Sequence, residues 1–202
     1  MKTARMPWKK IGLLILGGFL ILLTGVLFLR SPLEAAVKKP TLTVETPQKI
    51  NLAETETLTL DVSISDLGDV PYPAASVSIR FDPSRLEFLS VEEGNVFVRD
   101  ETVGQRLPTW SCSPVQCNRS GLINVMYLDL TGGKRAFDKE LLSEEGNVLL
   151  RLSFRLRGSA RAGDVYDLTV EDAVFAASDE TESLAVTRST LRVRNGRVIV
   201  GG

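Results

Sequence analysis

LTLDVSIS, residues 58–65, sets Leu58, Leu60, Val62 and Ile64 on one side of an extended chain and Thr59, Asp61, Ser63 and Ser65 on the other. Alternation of period two marks a strand with one dry and one wet face. SVSIRF (76–81) repeats it, with Val77, Ile79 and Phe81 against Ser76, Ser78 and Arg80. Outward from this pair run LTVET (42–46), LEFLSV (86–91), VFV (96–98), LINVMYLDL (122–130), NVLLRLSFRLR (147–157), VYDLTVEDAVF (165–175) and STLRVRNGRVIV (189–200). Turn signals separate them: Asp66 to Pro73, Asp82-Pro83, Glu93-Gly94-Asn95, Gly132-Gly133, Glu145-Gly146-Asn147, Gly158 to Gly163 and Asn195-Gly196. About nine strands so spaced predict an all-β antiparallel sandwich. FDKELLSEEG (137–146) alone reads as helical, through Phe137, Leu141 and Leu142. EEGNV occurs at 92–96 and 144–148 with unmatched flanks, so it reads as one turn solution used twice rather than a duplicated domain.

Ahead of this domain the chain changes character. Residues 1–10 carry Lys2, Arg5, Lys9 and Lys10, and Ile11 to Leu29 is uncharged and almost wholly apolar. A helix of that length spans roughly the 30 Å hydrocarbon core, and the basic start keeps residues 1–10 cytoplasmic. The segment is expected to be an uncleaved membrane anchor, with a cleaved signal around Glu34-Ala35-Ala36 as the other reading; both export the C-terminal body. Residues 30–40, with two prolines and no periodicity, read as a linker, and a single domain is expected over 41–202.

The 202 residues hold 24 Lys and Arg against 25 Asp and Glu, but the first 30 contain five bases and no acid, so the remainder carries 19 bases against 25 acids, a net charge of −6. An acidic exported body lacks the clustered cations that bind phosphate backbones, which argues against nucleic acid as a partner. There is no histidine, which excludes His-based triads, His general bases and most zinc sites. The carboxylate pairs Glu92-Glu93, Glu144-Glu145 and Glu171-Asp172 are the residual acid–base candidates, but the first two sit beside turn glycines, where charge is ordinarily solvated. The sequence reads as non-enzymatic.

Residues 99–121 lack clear alternation and enclose the only cysteines, Cys112 and Cys117. An even pair outside the cytoplasm is expected to form a disulfide; the spacing is not C-x-x-C, and two thiolates without further ligands cannot complete a zinc site. Asn118-Arg119-Ser120 also matches the glycosylation acceptor pattern.

The order of these signals resembles the cohesin family of bacterial cellulosomal scaffolds over residues 41–202: TLDVSI, then FDPSRLEFLSVEEGN, GLINVMYLDL, EGNVLLRLSFRLRGSARAGDVYDL, and a closing RVRNGRVIVG. The resemblance implies a nine-stranded jelly-roll sandwich that binds the calcium-loaded dockerin module of another exported protein, such as a polysaccharide-degrading enzyme. The calcium belongs to the partner; this chain shows no D-x-[DN]-x-[DN]-G loop, and no cofactor or metal is expected in it. Carried over position by position, the family's binding face implies Ala74, Ser76, Met126, Leu128 and Asp129 on neighbouring strands and Leu184 from the loop before the final strand. Several cohesins have Asn and Asp where this chain has Ala74 and Ser76. Met126 and Leu128 stand out by alternation too, since Ile123, Val125 and Tyr127 would fill the core.

Two other readings of a surface sandwich compete, carbohydrate binding and adhesion without a dockerin. A sugar platform needs coplanar exposed aromatics, and Tyr72, Trp110, Tyr127 and Tyr166 do not share one strand face by alternation.

Overall fold

The computed structural model describes residues 39–46, 49–51, 56–67, 70–94, 99–100, 105–106, 110, 112–129, 147–158 and 160–201. The expected membrane segment 11–29, the expected strand at 96–98 and the expected helix at 137–146 lie outside these residues. Among the described residues, no helix is long and apolar enough to cross a membrane.

The strands are β1 (Thr41–Val44), β2 (Ile50–Asn51), β3 (Thr57–Ser65), β4 (Ala74–Arg80), β5 (Leu86–Glu93), β6 (Arg99–Asp100), β7 (Gln105–Arg106), β8 (Leu122–Leu128), β9 (Val148–Leu156), β10 (Val165–Ala176), β11 (Leu184–Ala185), β12 (Arg192–Arg194) and β13 (Gly196–Gly201). A five-stranded sheet runs β12-β1-β3-β9-β5, and a six-stranded sheet runs β2-β13-β10-β4-β8 with β11 beside β10. β6 and β7 pair with each other, antiparallel, apart from the two sheets.

Alternation places the core between the two sheets. Leu58, Leu60, Val62 and Ile64 are buried on β3, as are Val77 and Ile79 on β4. They meet an aromatic cluster in which the Phe81 and Phe88 rings stand 5.5 and 5.6 Å from that of Phe154, edge to face. Such ring pairs contribute about 1 kcal/mol each beyond their buried area. Trp110 packs 5.7 Å from Tyr127 and donates from Nε1 to the Leu149 carbonyl at 3.1 Å, so its polar atom is satisfied inside the core.

The FDPSRL segment is the turn between the sheets. Asp82 Oδ1 accepts from Ser84 N at 2.9 Å and Ser84 Oγ at 2.6 Å, while Leu86 N–H returns to the Asp82 carbonyl at 2.9 Å. Pro83 supplies the fixed φ that the second turn position favours.

Three features differ from the sequence reading. First, the sandwich is not purely antiparallel: β1 pairs with β12, and β2 with β13, in parallel. The N-terminal pair β1–β2 and the C-terminal pair β12–β13 both pass from the five-stranded to the six-stranded sheet, side by side and in the same direction. Asn195-Gly196 is therefore a crossing point between sheets, not a hairpin turn. A Cβ on Gly196 would lie 2.6 Å from Val44 Cγ1, and Asn195 Oδ1 accepts from Val170 N at 3.0 Å beside the crossing. Second, the hydrogen bonding of the domain begins before β1, since Arg192 N–H donates to the Pro40 carbonyl at 2.8 Å. Third, a helix α1 (Pro114–Ser120) occupies the segment without periodicity. Pro114 opens it, and Gly121 at φ 68° closes it with its N–H on the Cys117 carbonyl.

Candidate functional site

The outer face of the six-stranded sheet is read off the register. Ser76 lies between Met126 and Val174, and Ala74 between Leu128 and Ala176. These six side chains share the outer face, because Ala75, Val77, Val125, Tyr127, Ala173 and Phe175 alternate with them and are buried. Met126 is 64% exposed and Leu128 53%. The patch is apolar save for Ser76. Its next row is polar: Ser78, between Asn124 and Asp172, donates to Asn124 Oδ1.

A bulge creates half of this patch. The pairing of β10 with β4 shifts between Val170 and Asp172, so that Glu171 and Asp172 both face outward and the alternation resumes reversed. Were the alternation of these same residues uninterrupted, Phe175 would point to solvent and Val174 inward. Beyond the bulge Arg80 makes a two-pronged ion pair with Glu171, with Nη2 2.8 Å from Oε2. That pairing holds the Glu171 carboxyl below its usual range, so Glu171 is unsuited to donate a proton near neutrality.

The expected face residues divide. Ala74, Ser76, Met126 and Leu128 are brought together on it. Asp129 and Leu184 are not: Asp129 is 7% exposed, with its N–H on the Pro73 carbonyl at 2.7 Å, and Leu184 is 8% exposed. Leu184 pairs with Phe175, whose side chain points inward, so Leu184 follows it into the core. Neither offers a side chain to a partner. Asp129 falls on the inward parity of Ile123, Val125 and Tyr127, a signal present in the sequence. Val174, Ala176 and Asp172 are face residues that sequence reasoning missed, because no local pattern announces the bulge.

The expected disulfide is not formed. Cys117 is buried on α1, Cys112 is partly exposed ahead of it, and both are free thiols. Burial, then the charge of the neighbouring Cys117, pushes the Cys112 thiol up to about 12. Asn118 has a structural task in place of the glycan acceptor role. Its Oδ1 accepts from Phe88 N at 2.8 Å, and Nδ2 donates to the Phe88 and Pro114 carbonyls at 2.7 and 2.9 Å. The amide thereby occupies the edge of β5, and both of its N–H groups are used.

Tyr72, Trp110, Tyr127 and Tyr166 are all at most 5% exposed, so the described Trp and Tyr residues form no sugar-stacking platform. Among the described residues no group of three or more Cys, Asp or Glu could hold a metal ion.

No family model and no curated protein sequence matches the chain. Solved structures do. The seventh ScaB type I cohesin of Pseudobacteroides cellulosolvens is 14% identical, over 81% of this chain and 93% of that one, with a TM-score of 0.57. The sixth cohesin of Acetivibrio cellulolyticus scaffoldin B, in complex with a Cel5 dockerin, is 20% identical over 81% and 99%, with a TM-score of 0.58. A type I cohesin–dockerin complex from Clostridium thermocellum gives 14% identity over 81% and 94%, with a TM-score of 0.59. The described domain therefore has the fold of a cohesin-like jelly-roll sandwich.

Proposed function

We propose that the domain is a non-catalytic docking module that binds a calcium-loaded dockerin through the outer face of its six-stranded sheet. The observation that carries this reading is the pair Met126 and Leu128, more than half exposed on β8 in a face whose alternate positions are fully committed to the core. Exposed apolar side chains clustered on a rigid sheet are the usual centre of a protein interface. Similar structures solved with a dockerin bound support the same reading. The apolar run Ile11–Leu29 would hold the module at the membrane with this face outside, where dockerin-bearing enzymes acting on polysaccharide would be recruited. The face lacks the Asn and Asp of several cohesins at Ala74 and Ser76, so recognition here leans on apolar contact.

The test is binding of calcium-loaded dockerin modules to residues 1–202 in detergent, comparing wild type, Met126→Asp and a control change at Arg192 on β12. Binding should fall about 30-fold or more for Met126→Asp alone, at unchanged melting temperature, and chelation should release the dockerin while the domain stays folded. Equal binding by Met126→Asp would remove the face; calcium-independent binding would identify a ligand other than a dockerin.

A further inference from the structure

The five-stranded sheet closes its two edges differently. β12, at one edge, is three residues long and turns Arg192 and Arg194 to solvent, so an added strand finds little to pair with. β5, at the other, is eight residues long and holds no Lys, Arg, Pro or Gly. Its acids guard it weakly, because Glu87 is paired with Arg155 and Glu92 and Glu93 stand at its far end. Among the described residues no strand lies beyond β5, and α1 lies against that edge instead. Asn118 supplies the bonds that a strand would make. In an antiparallel ladder, one residue of the neighbour accepts from the N–H and donates to the carbonyl of the residue opposite. The Asn118 amide does both, accepting from Phe88 N at 2.8 Å and donating to the Phe88 carbonyl at 2.7 Å. Its other Nδ2 proton goes to the Pro114 carbonyl at 2.9 Å, which ties the amide to the first turn of α1. The helix is seated by the buried Cys117 and by the Gly121 carbonyl, which accepts from Phe81 N at 3.0 Å.

We infer that α1 is a plug on a strand-docking edge, held in place by the Asn118 amide, and that the strand this edge takes when α1 is released is β5 of a second copy of the chain. Phe88 sets the pairing. Its N–H and carbonyl both point out of the sheet, so two β5 strands related by a two-fold axis at Phe88 exchange those two bonds with each other. Each copy then supplies what Asn118 supplies now. The composition of LEFLSV, apolar and aromatic without proline, suits such pairing. The edge belongs to the five-stranded sheet, whereas Met126 and Leu128 belong to the six-stranded one, so pairing consumes neither. This device goes beyond the docking function and does not depend on it.

The experiment uses the full chain in detergent, over a hundredfold range of protein concentration. Sedimentation gives the assembly state, and deuterium exchange gives the protection of the Phe88 amide. Wild type should keep one assembly state, with that amide protected throughout. Asn118→Ala should match it in mass when dilute, while the Phe88 amide exchanges at least about tenfold faster for want of its acceptor. On concentration the variant should double in mass and the amide should regain its protection. Recovered protection is the readout that a merely structural asparagine would not move. An Asn118→Ala chain that never doubles, or one that associates while the Phe88 amide still exchanges fast, would overturn the plug. Should Asn118→Ala not fold, Gly121→Ala loosens α1 from its other end, because alanine is strained at φ 68° and its Cβ would lie 2.9 Å from the Phe81 carbonyl oxygen. The same concentration dependence is then expected of it, and the same two outcomes would overturn the inference.

Discussion

The two outer faces of one sandwich have opposite surfaces. On the five-stranded sheet, Asp61, Thr59 and Thr57 of β3 face Arg151, Ser153 and Arg155 of β9, and Glu87 of β5 faces Arg155. Charges there are answered within the sheet: Arg151 Nε sits 3.1 Å from Asp61 and Arg155 Nη1 3.4 Å from Glu87. On the six-stranded sheet stand Met126, Leu128, Val165 and Ile199, and every large exposed hydrophobic of a described strand is among them. Both faces back onto the same core, so stability does not require the difference. A face whose polar groups satisfy one another needs no partner, whereas one that keeps methionine and leucine in water has a use for them.

The largest effect expected comes from upsetting the device that sets the second face. An alanine inserted between Asp172 and Ala173 adds a residue beyond the one the bulge absorbs, and one end of β10 must then rotate by one residue, sending either Phe175 or Tyr166 and Leu168 to solvent. Exposing one such side chain costs about 3 kcal/mol, which lowers Tm by about 10 °C in a domain of this size. Glu171→Ala adds no residue and loses only a surface ion pair, so it should cost under about 1 kcal/mol. Thermal melts of the two variants compare directly. Equal melting temperatures would show that the bulge does not govern which side chains reach the face.

Next in size is a matched pair of charge insertions. Met126→Asp on the apolar face should weaken dockerin binding by about 2 kcal/mol or more. Thr59→Asp on the polar face should leave it unchanged, since that side chain is already in water. Titration calorimetry on both variants distinguishes a specific face from general acidification. Equal losses would erase the contrast between the faces.

The contrast was partly legible in the sequence. Strict alternation in LTLDVSIS and LINVMYL fixes which side chains are buried, because a half-buried strand has only two parities, and Met126 and Leu128 fall outward by that rule alone. Asp129 obeys the same rule and is inward, although family resemblance places it on the face. The bulge at Glu171 is invisible because both parities of VEDAVF hold apolar residues, and only pairing with β4 decides between them. The Asn195-Gly196 crossing carries the signature of a hairpin turn; what makes it a crossing is the presence of Val44 and Thr46 against Gly196, a contact about 150 residues away in sequence. Helix α1 is too short for periodicity to show, although Pro114 and Gly121 mark both its ends.

A smaller effect tests the self-sufficiency of the polar face. Arg151→Ala removes the partner of Asp61, and both side chains are more than a third exposed. Exposed pairs of this kind contribute at most about 1 kcal/mol, so Tm should fall by no more than about 3 °C, and less in high salt. Dockerin binding should not respond. A binding loss from Arg151→Ala would mean that the two faces communicate through the core.

The smallest effect concerns the turn that joins the faces. Asp82 follows β4 of the apolar-faced sheet and precedes β5 of the polar-faced one, and its carboxylate accepts two hydrogen bonds from Ser84 that hold its pKa below the ordinary range. A carboxyl with a folded pKa below its unfolded value binds fewer protons when folded, so its contribution is complete above the unfolded value of about 4 and is lost as pH falls through the folded one. The direction is therefore acid destabilisation, confined to pH below about 4, and modest because the group is exposed. Asp82→Asn keeps an oxygen acceptor for Ser84 but cannot titrate. Its stability should fall slightly below wild type near pH 7, where only the carboxylate makes charge-assisted bonds, and that difference should shrink in acid, as pH falls from about 4 through the folded value. Denaturant melts near pH 7 and in acid measure the change. A constant difference between variant and wild type at both would show that the Ser84 bonds do not favour the ionised carboxyl, and that the joint between the faces is held by Pro83 and the Leu86 N–H bond alone.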